Sequence, residues 1–204
     1  MRSTDSHDPE TLAFYQREAE AYAARDGRGA SRALTAFLSA IPPGARVLEL
    51  GCGGGQDAEA MIRAGFDVTP TDGSPALAAI AEARLGRPVR VLRFDELDAR
   101  AEYDAVWANA CLLHVPAAGL PDVLARVHRA LVPGGVFHAS FKGGEGEGRD
   151  ALGRYYNVPR KDELKAAYRA AASWRDLTIS EGRGGGYDRV ERTWLLVAAV
   201  KGDR

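Results

Sequence analysis

The stretch Val47-Leu48-Glu49-Leu50-Gly51-Cys52-Gly53-Gly54-Gly55-Gln56-Asp57 holds the residues best suited to chemistry. Glycines at 51, 53 and 55 let a backbone turn tightly and approach a ligand where a Cβ would clash. A helix opening near Gln56 would aim free N–H groups at the same point. Gly53, Gly55 and Ala58 satisfy the dinucleotide pattern G-x-G-x-x-A, and Asp72 follows Gly53 by 19 residues, where a carboxylate accepts from ribose hydroxyls. Glu49 argues against a pyrophosphate, which it would repel, and suits a ligand with a cationic amino group. The chain also lacks Tyr-x-x-x-Lys, because Tyr155 and Tyr156 are followed at that spacing by Pro159 and Arg160. An NAD(P)-dependent oxidoreductase is therefore the competing reading, and a non-catalytic binding module of the same fold is a third. No His, Cys, Asp or Glu spacing resembles a metal site, so none is expected.

Groups placed this way need strand ends that meet helix starts. Short apolar runs rich in β-branched residues alternate here with amphipathic stretches, the pattern of a doubly wound α/β domain. Strands are expected at 46–50, 66–71, 89–94, 103–108 and 136–141. Ser74 followed by Pro75 reads as a helix N-cap with proline at the first helical position. The amphipathic run Leu120 to Leu131 is expected to stop at Pro133-Gly134-Gly135, and Gly143 to Gly148 to form a mobile loop. Arg160 to Ala172 reads as a helix. Trp174 to Ile179 and Thr193 to Val200 read as strands parted by the glycine-rich Gly182 to Gly186 and antiparallel if they pair. Ahead of the first strand, Pro9 to Arg25 and Ser31 to Ile41 read as two helices joined through Asp26-Gly27-Arg28-Gly29.

Composition bounds the partners. A chain of 204 residues with 46 % hydrophobic and 27 % charged residues suits one globular domain. With 27 basic and 28 acidic residues there is no global field to hold nucleic acid. Two cysteines make no disulfide framework, and no window reaches the roughly 18 apolar residues of a membrane span. A cytoplasmic location, no membrane and a monomer or weak homo-oligomer are the expectations. The arginines at 149, 154, 160, 183, 189 and 192 are expected to be solvated, although Arg149 and Arg192 flank the presumed acceptor pocket.

VLELGCGGG, TPTDGSP, FDELD, YDAVWANACLLHVP and LARVHRALVPGGVFHASFK follow one another along the chain. In their order and distances they resemble the motifs of class I S-adenosylmethionine-dependent methyltransferases, over about residues 10 to 200. Length and the segment SFKGGEGEGRD are most similar to the small bacterial tellurite-resistance-like type. The resemblance implies a Rossmann-like, doubly wound seven-stranded sheet, mostly parallel with an antiparallel last strand. It implies a single domain, with 1–44 as a helical lid segment and 45–204 as the sheet core. Glu49 and Gly51, with Cys52 and Gly53 in the turn, would then meet the amino group of S-adenosylmethionine. Asp72, flanked by Gly73 and Ser74, would hold the ribose. Phe94, Asp95 and Leu97 would surround the adenine, Trp107 and Ala108 the sulfonium, and Arg25 the carboxylate. Tyr15 and Tyr22, seven residues apart on one helical face, would cover the cofactor. His114, Tyr15 and Tyr22 are the candidate bases for methyl transfer to a small molecule. A nucleic-acid acceptor is not expected, because Asn109-Ala110-Cys111-Leu112 lacks the Asn/Asp-Pro-Pro-aromatic sequence.

Overall fold

The computed structural model describes residues 6–24, 31–185 and 190–203. Strands β1 (Arg46–Leu50), β2 (Asp67–Asp72), β3 (Arg90–Val91), β4 (Tyr103–Ala108), β5 (Leu131–Lys142), β8 (Trp174–Gly185) and β9 (Glu191–Lys201) form one sheet, and β6 (Glu147–Arg149) and β7 (Tyr155–Asn157) a small second one. Spatial order in the large sheet is β3-β2-β1-β4-β5-β9-β8. The first five strands are mutually parallel, and β9 inserts antiparallel between β5 and β8. The doubly wound expectation with an antiparallel last strand is met.

Alternation along the central strands sends side chains to both faces. Val47, Ala105 and Trp107 meet helices α3 (Arg32–Ser39) and α4 (Gln56–Arg63) through Leu34, Phe37 and Met61. Leu48, Leu50, Val106 and Phe137 belong to the opposite core, with α6 (Leu120–Ala130) and α7 (Lys161–Ala171). In α6 the buried Leu120, Val123, Leu124 and Val127 fall at the i, i+3, i+4, i+7 spacing of one helical stripe. Each such side chain contributes about 1.5–3 kcal/mol by leaving water. Helix α5 (Pro75–Leu85) begins as expected, with Ser74 Oγ accepting from the Leu77 N–H at 3.3 Å. Among the described residues no helix is long and apolar enough to cross a membrane.

Several boundaries differ from the sequence expectation. The helix expected over 9–25 is two, α1 (Pro9–Arg17) and α2 (Ala19–Ala23), broken at Glu18 (φ −98°, ψ 14°). The strand expected over 89–94 pairs only at Arg90–Val91, and the chain then turns through a 3₁₀ segment at Phe94–Glu96. Pro133-Gly134-Gly135 does not precede β5 but lies inside it, with Gly134 at φ +73° and a shifted register against β4. The glycine-rich segment after Lys142 leads into β6, whose Gly148 pairs with Tyr156 of β7. Glycines 182, 184 and 185 continue β8 instead of ending it. Glycine disfavours strands through entropy, yet its backbone groups still pair, and Trp194 Nε1 reaches the Gly184 carbonyl at 3.1 Å.

Candidate functional site

Parallel strands leave a crevice beyond their carboxyl ends where the sheet order reverses. Here β1 lies between β2 and β4, and a cleft opens beyond them, roofed by α1 and α2. Its floor is backbone. Gly51 and Gly53 have φ of +66° and +56°, a region that costs other residues steric strain. A Cβ at Gly51 would stand 2.6 Å from that of Cys111, and one at Gly53 would stand 3.1 Å from the Tyr22 ring. The glycines thus let the wall after β4 and the roof close onto the turn.

Asp72, at the end of β2, clasps this floor from the side. Oδ2 accepts from the Gly53 N–H at 2.9 Å and Oδ1 from the Ser74 N–H at 2.8 Å. Burial still pushes its carboxyl up to about 6, against the opposing pull of those two bonds. Two acceptor positions remain on the carboxylate. Glu49 is also buried, and Oε2 has no hydrogen-bond partner among the described residues. Burial first, then Asp57 and Asp72 nearby, raise its carboxyl well above the usual range. Glu49 is not on the cleft wall, whereas Gly51, Gly53, Asp72, Gly73 and Phe94 are.

The structure separates the other expected residues. Ser74 and Cys52 are buried off the wall, and burial pushes the Cys52 thiol up. Asp95 sits behind the rim, 3.1 Å from Arg93 Nε and 3.5 Å from Nδ1 of His7, which does line the cleft. Leu97 and Ala108 lie in the core on the α6 side. Trp107 faces the opposite core, stacked on His138 with centroids 4.2 Å apart, and its Nε1 donates to Asp57 at 2.9 Å. Strand alternation turns Trp107 away from the cleft even though it stands at the strand end. Arg25 and the Asp26–Gly29 link lie outside the described residues.

Tyr15, Tyr22 and His114 come together at the far end. The tyrosine rings meet edge-on at 5.1 Å, and Tyr15 Oη stands 2.9 Å from His114 Nε2. His114 Nδ1 is 2.6 Å from the Tyr155 carbonyl, which only accepts. That contact assigns the hydrogen to Nδ1, so Nε2 accepts from the Tyr15 hydroxyl. Burial lowers His114 to about 4 and raises Tyr15 to about 12, while Tyr22 is raised further. At neutral pH the imidazole is uncharged and both phenols keep their protons. Arg154, expected to be solvated, is 1 % exposed; it pairs with Asp150 at 2.7 Å and donates to Tyr15 Oη at 3.3 Å. Arg149 does reach solvent, and binds Asp8, the N-cap of α1, at 2.7 Å.

Sequence reasoning passed over Asn109, Ala110 and Cys111 as wall residues. They lie within the segment YDAVWANACLLHVP, but nothing in their residue types signals a wall position. Ala110 has φ +53°, a conformation that costs a non-glycine residue roughly 1–3 kcal/mol and persists only where its surroundings impose it. Asp8 did carry a signal, an acidic cap directly before proline.

A profile of the family described as "Methyltransferase domain" matches residues 15–171. The ubiquinone biosynthesis O-methyltransferase of Xanthomonas campestris pv. campestris (strain B100) is 39 % identical over 108 residues, covering 48 % of this chain and 43 % of that one. The chain spans about half the length of the curated relatives it matches. Among solved structures, a SAM-dependent methyltransferase from Methanosarcina mazei superposes with a TM-score of 0.74 at 15 % identity, covering 87 % of this chain and all of that one. The 1,6-didemethyltoxoflavin-N1-methyltransferase of Burkholderia thailandensis, solved with 1,6-didemethyltoxoflavin and S-adenosylhomocysteine, gives 0.66 at 25 % identity, covering 98 % and 85 %. With the strand order, the glycine turn and the profile in agreement, the chain belongs to the methyltransferase-domain family and has the class I, S-adenosylmethionine-dependent methyltransferase fold.

Proposed function

We propose that this protein is an enzyme that transfers the methyl group of S-adenosylmethionine to a nucleophilic atom of a small-molecule acceptor. The observation that carries the reading is Asp72, buried at the end of β2 against the Gly53 and Ser74 N–H groups with acceptor capacity left over. Two vicinal hydroxyls of a ribose match that capacity. They would also favour the carboxylate form that burial disfavours. Phe94 and Leu92 offer an apolar slot beside it, and Gly51 and Gly53 let the ligand lie against backbone. Buried Glu49 lies under the turn with its carboxyl raised by burial and by Asp57 and Asp72, and an ammonium group bound nearby would favour its ionised form.

The bound cofactor supplies an electrophilic methyl group on a sulfonium. The chain's own task is alignment and exclusion of water. Tyr15 and Tyr22 roof the cleft, and Asn109 and Ala110 form the wall opposite. His114 Nε2, accepting from Tyr15 Oη, provides a place for a proton leaving the acceptor, passed through the phenol. The low basicity of His114 suits an acceptor whose proton becomes strongly acidic as the new bond forms. A small acceptor is further supported by the didemethyltoxoflavin enzyme, aligned over 98 % of this chain. Titration calorimetry with S-adenosylmethionine, S-adenosylhomocysteine, NAD and NADP tests the assignment. Both S-adenosyl compounds should bind and neither dinucleotide should. Dinucleotide binding without a response to either S-adenosyl compound overturns it.

A further inference from the structure

Ser140 lies in the fifth-strand segment HASFK and does not itself line the cleft, yet its side chain holds the cleft wall in shape. It lies in β5, one residue past Ala139, the last residue paired with β4. Beyond Ala108 the chain leaves the sheet, and the Ala110 N–H has lost its ladder partner. The Ser140 hydroxyl accepts from that N–H at 2.8 Å and donates to Asn109 Oδ1 at 2.7 Å. Asn109 Nδ2 in turn donates to Asp57 Oδ2 at 3.2 Å, the oxygen that also takes the Trp107 indole N–H. The Ala110 N–H can only donate, so the Ser140 hydroxyl accepts from it and is left to donate to Asn109 Oδ1, which turns the Asn109 amide N–H toward Asp57. Ser140 is 2 % exposed, which keeps water from replacing it.

This relay surrounds the left-handed Ala110. The turn at Ala110 brings Cys111 against Gly51, where Cys111 Sγ reaches the Leu50 carbonyl at 3.1 Å. We propose that Ser140 is a positioning residue: through the Ala110 N–H and Asn109 its hydroxyl imposes the conformation of the wall that an adenosyl cofactor meets, without touching the ligand. The inference rests on the reading that the cleft takes S-adenosyl compounds.

The test is calorimetric titration of the full chain with S-adenosylhomocysteine. Ser140→Ala should weaken binding about tenfold, the scale of one buried hydrogen bond. Adding Ala110→Gly to it should recover most of that loss, because glycine takes the left-handed conformation without being held there. A role limited to packing of β5 would not be rescued by a change at residue 110. If Ser140→Ala does not fold, Ser140→Cys keeps the volume with a weaker hydrogen-bonding group and should show a smaller loss, again reversed by Ala110→Gly. Unchanged affinity in the Ser140 variants, or a loss that Ala110→Gly leaves in place, overturns the proposal. Failure of the wild-type chain to bind S-adenosylhomocysteine would instead overturn the assignment of the cleft.

Discussion

The two halves of the cleft are built by different means. The half at β1 and β2 is made of backbone and one carboxylate: Gly51, Gly53 and Asp72 lie within one β-α-β stretch and are joined by a single hydrogen bond across 19 residues. The half at β4 and α1 is made of side chains drawn from afar, with Tyr15 meeting His114 across 99 residues and Arg154 across 139. A site made of backbone tolerates almost no added atoms at its turns. A site made of side chains gives way more gradually, because each contact is one of several.

The largest effect should come at Gly51. Gly51→Ala places a Cβ 2.6 Å from that of Cys111 at φ +66°, so overpacking and backbone strain act together. A loss of about 3 kcal/mol in denaturant unfolding and no detectable S-adenosylhomocysteine binding are expected. Normal stability and binding would show that the two halves are not pressed together there. Next comes Asp72→Ala, expected to weaken S-adenosylhomocysteine binding by about 1.5–3 kcal/mol, the scale for hydrogen bonds to a charged group, with Asp72→Asn losing less. An unchanged dissociation constant removes Asp72 from the binding site.

Acid should act on the halves in opposite directions. Burial raises the Asp72 carboxyl to about 6. Its contribution to stability is therefore complete below the ordinary carboxyl range near 4 and is lost as pH rises through 6. Its ionised form, the one proposed to accept from ribose, gains over the same interval, so affinity for S-adenosylhomocysteine should rise from pH 5 to 7, and the rise should vanish in Asp72→Asn. Burial lowers His114 to about 4. Its contribution is complete above 6.5 and is lost as pH falls toward 4. Thermal melts of ligand-free His114→Asn should accordingly be less acid-sensitive than wild type across that window. The smallest effect belongs to Arg149→Ala at the exposed pair with Asp8. Its melting temperature should hardly move, and amide exchange should quicken in residues 9–17 alone. Faster exchange throughout the sheet would make α1 part of the core and not a roof over the cleft.

The difference in construction also explains which parts were legible. Gly51, Gly53 and Asp72 stand at fixed distances along the chain because a strand, a turn and a helix have fixed lengths, so their spacing carries the geometry. The N-cap at Ser74 was legible for the same reason, and so was the apolar stripe of α6. Trp107 shows the opposite case. Its position at a strand end was legible, but which face of the sheet it takes follows from the register of β4 between β1 and β5. Arg154 looked like one more charged residue of a glycine-rich segment, and only the folding of β6 and β7 against α1 buries it.

By itself the sequence determined the alternation of strands and helices, the glycine turn and the acidic residue one strand later, since periodicity and short-range spacing act through local backbone geometry. Tertiary structure alone decided the left-handed Ala110, the Ser140 contact that supports it, and the neutral His114 with its hydrogen bond from Tyr15. Each of these depends on desolvation and on partners brought together from distant strands, and neither is encoded in the residues next to them in the chain.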